Sequence, residues 1–256
     1  MKKKLYVPFL FWVMMLTELI LIDRFFLVLN VSVSYKVFLQ DFFLLITFYV
    51  INHFFLHIHF LKRIKQNFFS VIKINLVPLI FSLILITGVF STISIWHSNF
   101  LHAFIIAGSA SVFEEFFFRG LLLNTFLTQI KSSSHKCILI STLLTSILFS
   151  LSHAVNINFQ SLSGTLFQMI SVFFLGILLA AIYLRTGSLM YPIFFHFILD
   201  FSTILMKGFV TASPTKQTLI SNIFLEFIYI LTAIVLLRNS KTTSIINTNK
   251  SIFNNN

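Results

Sequence analysis

Apolar residues fall along this chain in long blocks, with the polar and charged residues gathered between them. Blocks at 5–22, 37–61, 74–96, 100–130, 138–159, 165–184, 188–206 and 219–237 meet the ~20-residue length that a helix needs to cross a bilayer. The pattern predicts an all-α, polytopic transmembrane bundle of about eight helices, with no internal repeat. The first block follows Lys2, Lys3 and Lys4, but it is too long for the core of a signal peptide and no small-residue cleavage site follows, so a retained helix is expected.

Composition agrees with that pattern. The 256 residues are 57% hydrophobic and 10% charged, against ~25% charged in an ordinary soluble domain, and they include 35 phenylalanines. An amino terminus in the cytoplasm puts 13 of the 18 lysines and arginines on that side, leaving Arg24, Lys36, Lys207 and Lys216 opposite and Arg119 inside the apolar blocks. The positive-inside rule therefore predicts that both termini are cytoplasmic. This bias accounts for the net charge of +11; no basic cluster is interleaved with aromatics in a way that argues for nucleic acid. A lone cysteine, Cys137, excludes an intrachain disulfide and a Cys-rich metal site.

Charge inside the fourth block demands a reason. The stretch Ser111–Leu123, SVFEEFFFRGLLL, holds Glu114, Glu115 and Arg119, and each ionised group costs at least ~2.5–3.5 kcal/mol near the centre of a bilayer. Glu115 and Arg119 are four apart and share a helix face, so they can pair, while Glu114 is rotated by about 100° and stays available. The alternative to a functional site is a polar clasp between helices.

The other polar residues carry less. Asp23, Arg24 and Asp41 are expected near interfaces, where water or headgroups satisfy them. His53 and His57 have a spacing that can share a metal, but Lys62 and Arg63 follow and no acid is near, so an interfacial belt of aromatic and imidazole rings is the better reading. Pro78 and Gly88 predict a kink in the third helix. Gly176 and Ala180-Ala181 permit close helix approach in the sixth. Glu226 has no partner that the sequence names, and the polar, Asn-rich tail 239–256 is expected to be disordered.

His153 closes the fifth block, and the seventh supplies His196 and Asp200, four apart on one face. Glu114, His153, His196 and Asp200 are a carboxylate and imidazole set suited to activating water and stabilising an oxyanion, as amide hydrolysis requires. HExxH, GxGD and GxSG are all missing. The sequence Glu114-Glu115-x-x-x-Arg119, then Phe149-x-x-x-His153, then His196-x-x-x-Asp200, on successive helices, resembles the CAAX protease and bacteriocin-processing family of intramembrane endopeptidases. Phe174-Leu175-Gly176 and Arg185-Thr186-Gly187-Ser188-Leu189 through Pro192 are similar to that family's later core. The resemblance covers about Phe100–Ser202, which divides the chain into N-terminal helices (1–99), a catalytic core (100–206), a C-terminal helix (207–238) and the tail (239–256).

The resemblance implies that Glu114 and His153 activate water, that His196 and position 200 stabilise the oxyanion, and that Glu115 and Arg119 position the helix. The family often has asparagine where this chain has Asp200. An ionised aspartate cannot donate a hydrogen bond, so Asp200 either holds a proton or orients His196 instead. His153, His196 and Asp200 also compose a two-His, one-carboxylate set for a divalent metal such as zinc, so the chemistry is either glutamate-dependent or metal-dependent.

Counting ~1.5 Å per residue from Cys137 puts His153 about 24 Å along its helix, outside the level of Glu114 and His196, so that helix must start later, tilt, or continue past His153. The expected protein is a multi-pass endopeptidase of a bacterial plasma membrane that acts on a peptide or membrane-protein substrate. The bias to Phe, Ile, Asn and Lys suggests an AT-rich genome, and relatives in the family are associated with bacteriocin immunity or peptide-pheromone processing. Competing classes are a non-catalytic immunity or binding protein of the same fold, and a proton-coupled transporter.

Overall fold

A computed structural model describes residues 5–28, 31–91, 96–130, 132–207 and 213–249; Lys131, Lys250 and the end of the expected tail lie outside them. The described residues form helices and no strand. These are α1 (Val7–Val28), α2 (Val33–Ile51), α3 (Phe68–Ile74), α4 (Leu76–Ser91), α5 (Trp96–Glu115), α6 (Asn124–Gln129), α7 (Ser134–Ser152), α8 (Leu162–Thr186), α9 (Met190–Lys207), α10 (Lys216–Leu237) and α11 (Asn239–Thr248). Five continuous helical stretches are long and apolar enough to cross a membrane, or six if α3 and α4 count as one bent span. Of the remaining expected blocks, α1 is a helix of 22 residues, and Met190–Met206 falls short of a full span.

α8 is the centre of the bundle. It lies between α7 and α10, and its second half, Leu175–Leu184, is buried throughout. α5 packs along α9 on one side and α2 on the other, and α4 closes over α9. Phe117, Phe118, Leu121, Leu122 and Phe126 fill the space between these layers. Large apolar side chains on the outer faces, such as Phe42, Leu83, Ile220 and Phe224, are exposed, as they would be against lipid.

Two glycines permit contacts that a larger residue would block. A Cβ on Gly176 would meet Phe149 Cδ1 and Ser146 Cβ, each at 3.2 Å, so glycine lets α7 lie against α8. Gly187 ends α8 with φ 65°, and a Cβ there would stand 2.2 Å from the Lys62 carbonyl oxygen. The segment 57–67 can therefore lie over the α8–α9 turn. It is tied there by the Leu61 N–H to Tyr183 Oη (3.0 Å) and the Ile64 N–H to Thr186 O (3.0 Å).

Several expectations are corrected. Asp41, which the sequence left to water or headgroups, has a protein partner: it sits two turns inside α2 and accepts a 2.7 Å hydrogen bond from Ser109 Oγ of α5. The bend in the third block falls at Asn75, where α3 and α4 meet at 68°; Pro78 lies in the first turn of α4, where no backbone hydrogen bond is lost. His57 takes a left-handed conformation that ends the π-helical turn Asn52–Leu56 after α2, while the His53 ring stacks on Tyr49. Glu226 accepts from Ser171 Oγ at 2.9 Å. Residues 239–248 are helical because Ile245 and Thr242 are fully buried against the bundle and Asn249 Oδ1 accepts from the Lys62 N–H at 2.8 Å.

Candidate active site

Between α5 and α6 the backbone widens into a π-helical stretch, Phe116–Leu123, immediately after the two acids. Such wide turns carry a side chain's position off the regular α-helical path and are frequent at functional sites. Here Asn124 stabilises the turn. Its side-chain amide donates to Gly120 O (2.7 Å), Arg119 O (3.0 Å) and Tyr183 Oη (2.9 Å). Tyr183 in turn accepts from the Leu61 N–H, so a polar thread runs from the wide turn through α8 to the 57–67 segment.

Arg119 is enclosed on every side. Nη1 donates to Glu115 Oε1 at 2.9 Å, Nη2 donates to Gly176 O at 3.3 Å, and the guanidinium stacks on Phe149 at 4.5 Å from the ring centroid. Glu115 is fully buried. Its Oε1 also faces His196 Nδ1 at 2.9 Å, while Oε2 is buried without a protein partner. These contacts fix the α5 acid, the α7 aromatic ring, the α8 carbonyl and the α9 imidazole relative to one another.

Glu114 is the acid left free of that lock. Its side chain is 23% exposed, and Oε2 stands 3.6 Å from His196 Nε2. Asp200, 38% exposed, approaches the same nitrogen at 3.3 Å. Carboxylate oxygens accept hydrogen bonds, so the His196 ring satisfies its neighbours with a hydrogen on each nitrogen. In that arrangement Asp200 Oδ2 can accept from His196 Nε2.

His153 caps the C-terminal end of α7. Its Nδ1 lies 2.9 Å from Phe149 O, an acceptor, so Nδ1 carries a hydrogen and Nε2 is the nitrogen not engaged by that carbonyl. The His153 and His196 rings both stand edge-on to Phe149, with centroids 5.0 and 6.0 Å from it. The His153 contact lies within α7, and the His196 contact joins α9 to the same ring.

The structure brings Glu114, Glu115, Arg119, His196 and Asp200 into direct contact and joins His153 to them through Phe149. A metal set of His153, His196 and Asp200 is not formed. Both His196 nitrogens face carboxylates, and among the described residues no three His, Cys, Asp or Glu side chains converge as ligands. The sequence reading did not find the stacking role of Phe149, the Gly176 carbonyl as an arginine acceptor, or the Asn124–Tyr183 thread. A buried asparagine in an apolar block was the available signal for the last.

Residues 96–202 match the family described as type II CAAX prenyl endopeptidase Rce1-like. Comparison with curated proteins and with solved structures gave no match. The matched segment begins with α5, ends within α9, and contains every residue of the site.

Proposed function

Because residues 96–202 carry an Rce1-like CAAX endopeptidase domain in a multi-pass membrane protein, we propose that this chain hydrolyses a peptide bond with a water activated by Glu114. One observation carries the reading: of two adjacent acids, one is locked into a buried ion pair and the other faces an imidazole at an accessible position. Glu114 takes a proton from water as the water oxygen bonds to the scissile carbonyl carbon. The hydrogen on His196 Nε2, accepted by Asp200 in the resting site, turns to the developing oxyanion while Glu115 at Nδ1 keeps the ring in place. The proton then passes to the leaving nitrogen as the C–N bond breaks, and the free Nε2 of His153 gives it a second station. Asp200 holds His196 in orientation, and Glu115 with Arg119 fixes the helix that presents Glu114.

The substrate in this proposal is a peptide or membrane protein. The basic segments form the cytoplasmic face of a bacterial plasma membrane, and the role is bacteriocin immunity or pheromone processing. The resemblance, the charge bias and the AT-rich composition support these assignments. Mass spectrometry of membrane and secreted peptides from cells making the wild-type chain or an equally expressed Glu114→Ala chain tests the proposal. A peptide end that requires Glu114 is the expected result. Identical profiles with any protective phenotype intact would replace proteolysis by binding.

A further inference from the structure

A cavity of about 300 Å³ opens where segment 57–67 crosses the α8–α9 turn, lined by Arg63, Lys65, Gln66, Val71, Thr186 and Tyr191. We propose that it holds the phosphate headgroup of an anionic membrane lipid, bound by Arg63 and Lys65 with the acyl chains lying along α3. The site is separate from the candidate active site, and the proposal stands whether or not the chain is a protease.

Charge is the first argument. The segments meeting at this end of the bundle are linked by the Ile64 N–H to Thr186 O, the Lys62 N–H to Asn249 Oδ1 and a His135–Thr242 side-chain hydrogen bond. They carry Lys62, Arg63, Lys65, Lys136, Arg185 and Lys241, and all seven acidic residues of the chain lie elsewhere, at 18, 23, 41, 114, 115, 200 and 226. Among the described residues no carboxylate pairs with Arg63 or Lys65. Two cations without counter-ions at the mouth of a cavity attract an anion, and basic pockets beside membrane helices on the positive side suit lipid phosphates.

The backbone is the second argument, since it is fixed before any ligand arrives. The hydrogen bonds of Leu61 and Ile64, and the close approach permitted by Gly187, hold residues 61–66 against the end of α8. A lipid therefore finds the frame that carries both cations already ordered.

The neighbouring helix selects a lipid over a free anion. α3 meets α4 at 68°, so it runs closer to the membrane plane than along the span. Phe68 and Phe69 project from it, 72% and 71% exposed. Aromatic side chains at that level belong among acyl chains and headgroups. Val71, from the same helix, lines the cavity, so one short element offers an acyl-chain surface and part of the headgroup wall.

The test uses the full chain in nanodiscs containing trace spin-labelled phosphatidylglycerol or spin-labelled phosphatidylcholine, with the motionally restricted fraction read by electron paramagnetic resonance. Wild type should prefer phosphatidylglycerol, and Arg63→Gln and Lys65→Gln should each reduce that preference about fivefold. Val71→Trp, which fills the cavity with the charges intact, should also reduce it. Lys216→Gln, at the start of α10, should leave it unchanged. Retained burial of the Cys137 thiol reports folding in each variant. Equal restriction of both lipids in wild type, or a preference untouched by Arg63→Gln and Val71→Trp, overturns the proposal. Displacement of the labelled phosphatidylglycerol by millimolar inorganic phosphate would assign the cavity to a soluble anion and overturn the lipid.

Discussion

Removing the Arg119 side chain is the perturbation whose consequence follows most directly from the geometry. Arg119→Ala leaves the fully buried Glu115 with His196 as its remaining partner, takes the second donor from the Gly176 carbonyl, and bares the Phe149 face on which the guanidinium stacks. Breaking a buried ion pair by deleting one partner costs about 3–5 kcal/mol, because the remaining charge stays desolvated. That is a large fraction of a total stability of roughly 5–15 kcal/mol. Arg119→Lys should recover little, since a single ammonium cannot donate in the two fixed directions taken by Nη1 and Nη2. Adding Glu115→Gln to Arg119→Ala should restore more than about 1 kcal/mol by removing a buried charge that has lost its arginine. The one cysteine supplies the assay: Cys137 is fully buried, so a thiol-reactive dye reports unfolding as denaturant is titrated into mixed micelles. A loss below about 1 kcal/mol for Arg119→Ala, or full recovery with lysine, would refute the view that this arginine locks the site.

Glu114→Gln should reduce peptide cleavage by at least about a hundredfold while leaving the Cys137 unfolding curve in place, because its carboxylate is outside the buried lock; a matching loss of stability would make it a structural acid. Asp200→Asn keeps an oxygen that can accept from His196, so activity should stay within about tenfold of wild type, whereas Asp200→Leu should abolish it; equal loss in both would contradict an orienting role. Cleavage should survive chelator treatment of the purified protein. Stoichiometric zinc that disappears with His153→Ala and His196→Ala would instead restore the metal set. Gly176→Ala should destabilise by about 1–3 kcal/mol, because its Cβ would press on Phe149 and Ser146 at 3.2 Å; a neutral effect would mean that α7 and α8 part without cost.

Much of the site was visible in the sequence because charge in an apolar block is costly and because helical spacing is rigid. The Glu115–Arg119 pair and the shared face of His196 and Asp200 follow from a four-residue separation alone. What escaped depends on relations between helices. Nothing in the spacing of α7 and α9 says that His153 and His196 share the ring of Phe149, because relative depth is set by how α8 packs against α7. Nor could Gly176 be assigned as an acceptor before Arg119 was seen to reach across to it. Residues 239–248 were misread for a related reason: a mostly polar run predicts disorder in isolation, yet Ile245 finds a buried seat and Thr242 a histidine partner in a bundle already formed.

Trp12 of α1 donates from Nε1 to Leu148 O at 3.1 Å and to Ser152 Oγ at 2.8 Å, fastening the far end of α7 beside Phe149 and His153. Tyr183, within the family segment, is likewise held by Leu61 from outside it. The matched segment 96–202 is thus braced by residues that the family signature does not contain. A fragment cut to the signature's boundaries would lose these outer ties along with the outer helices.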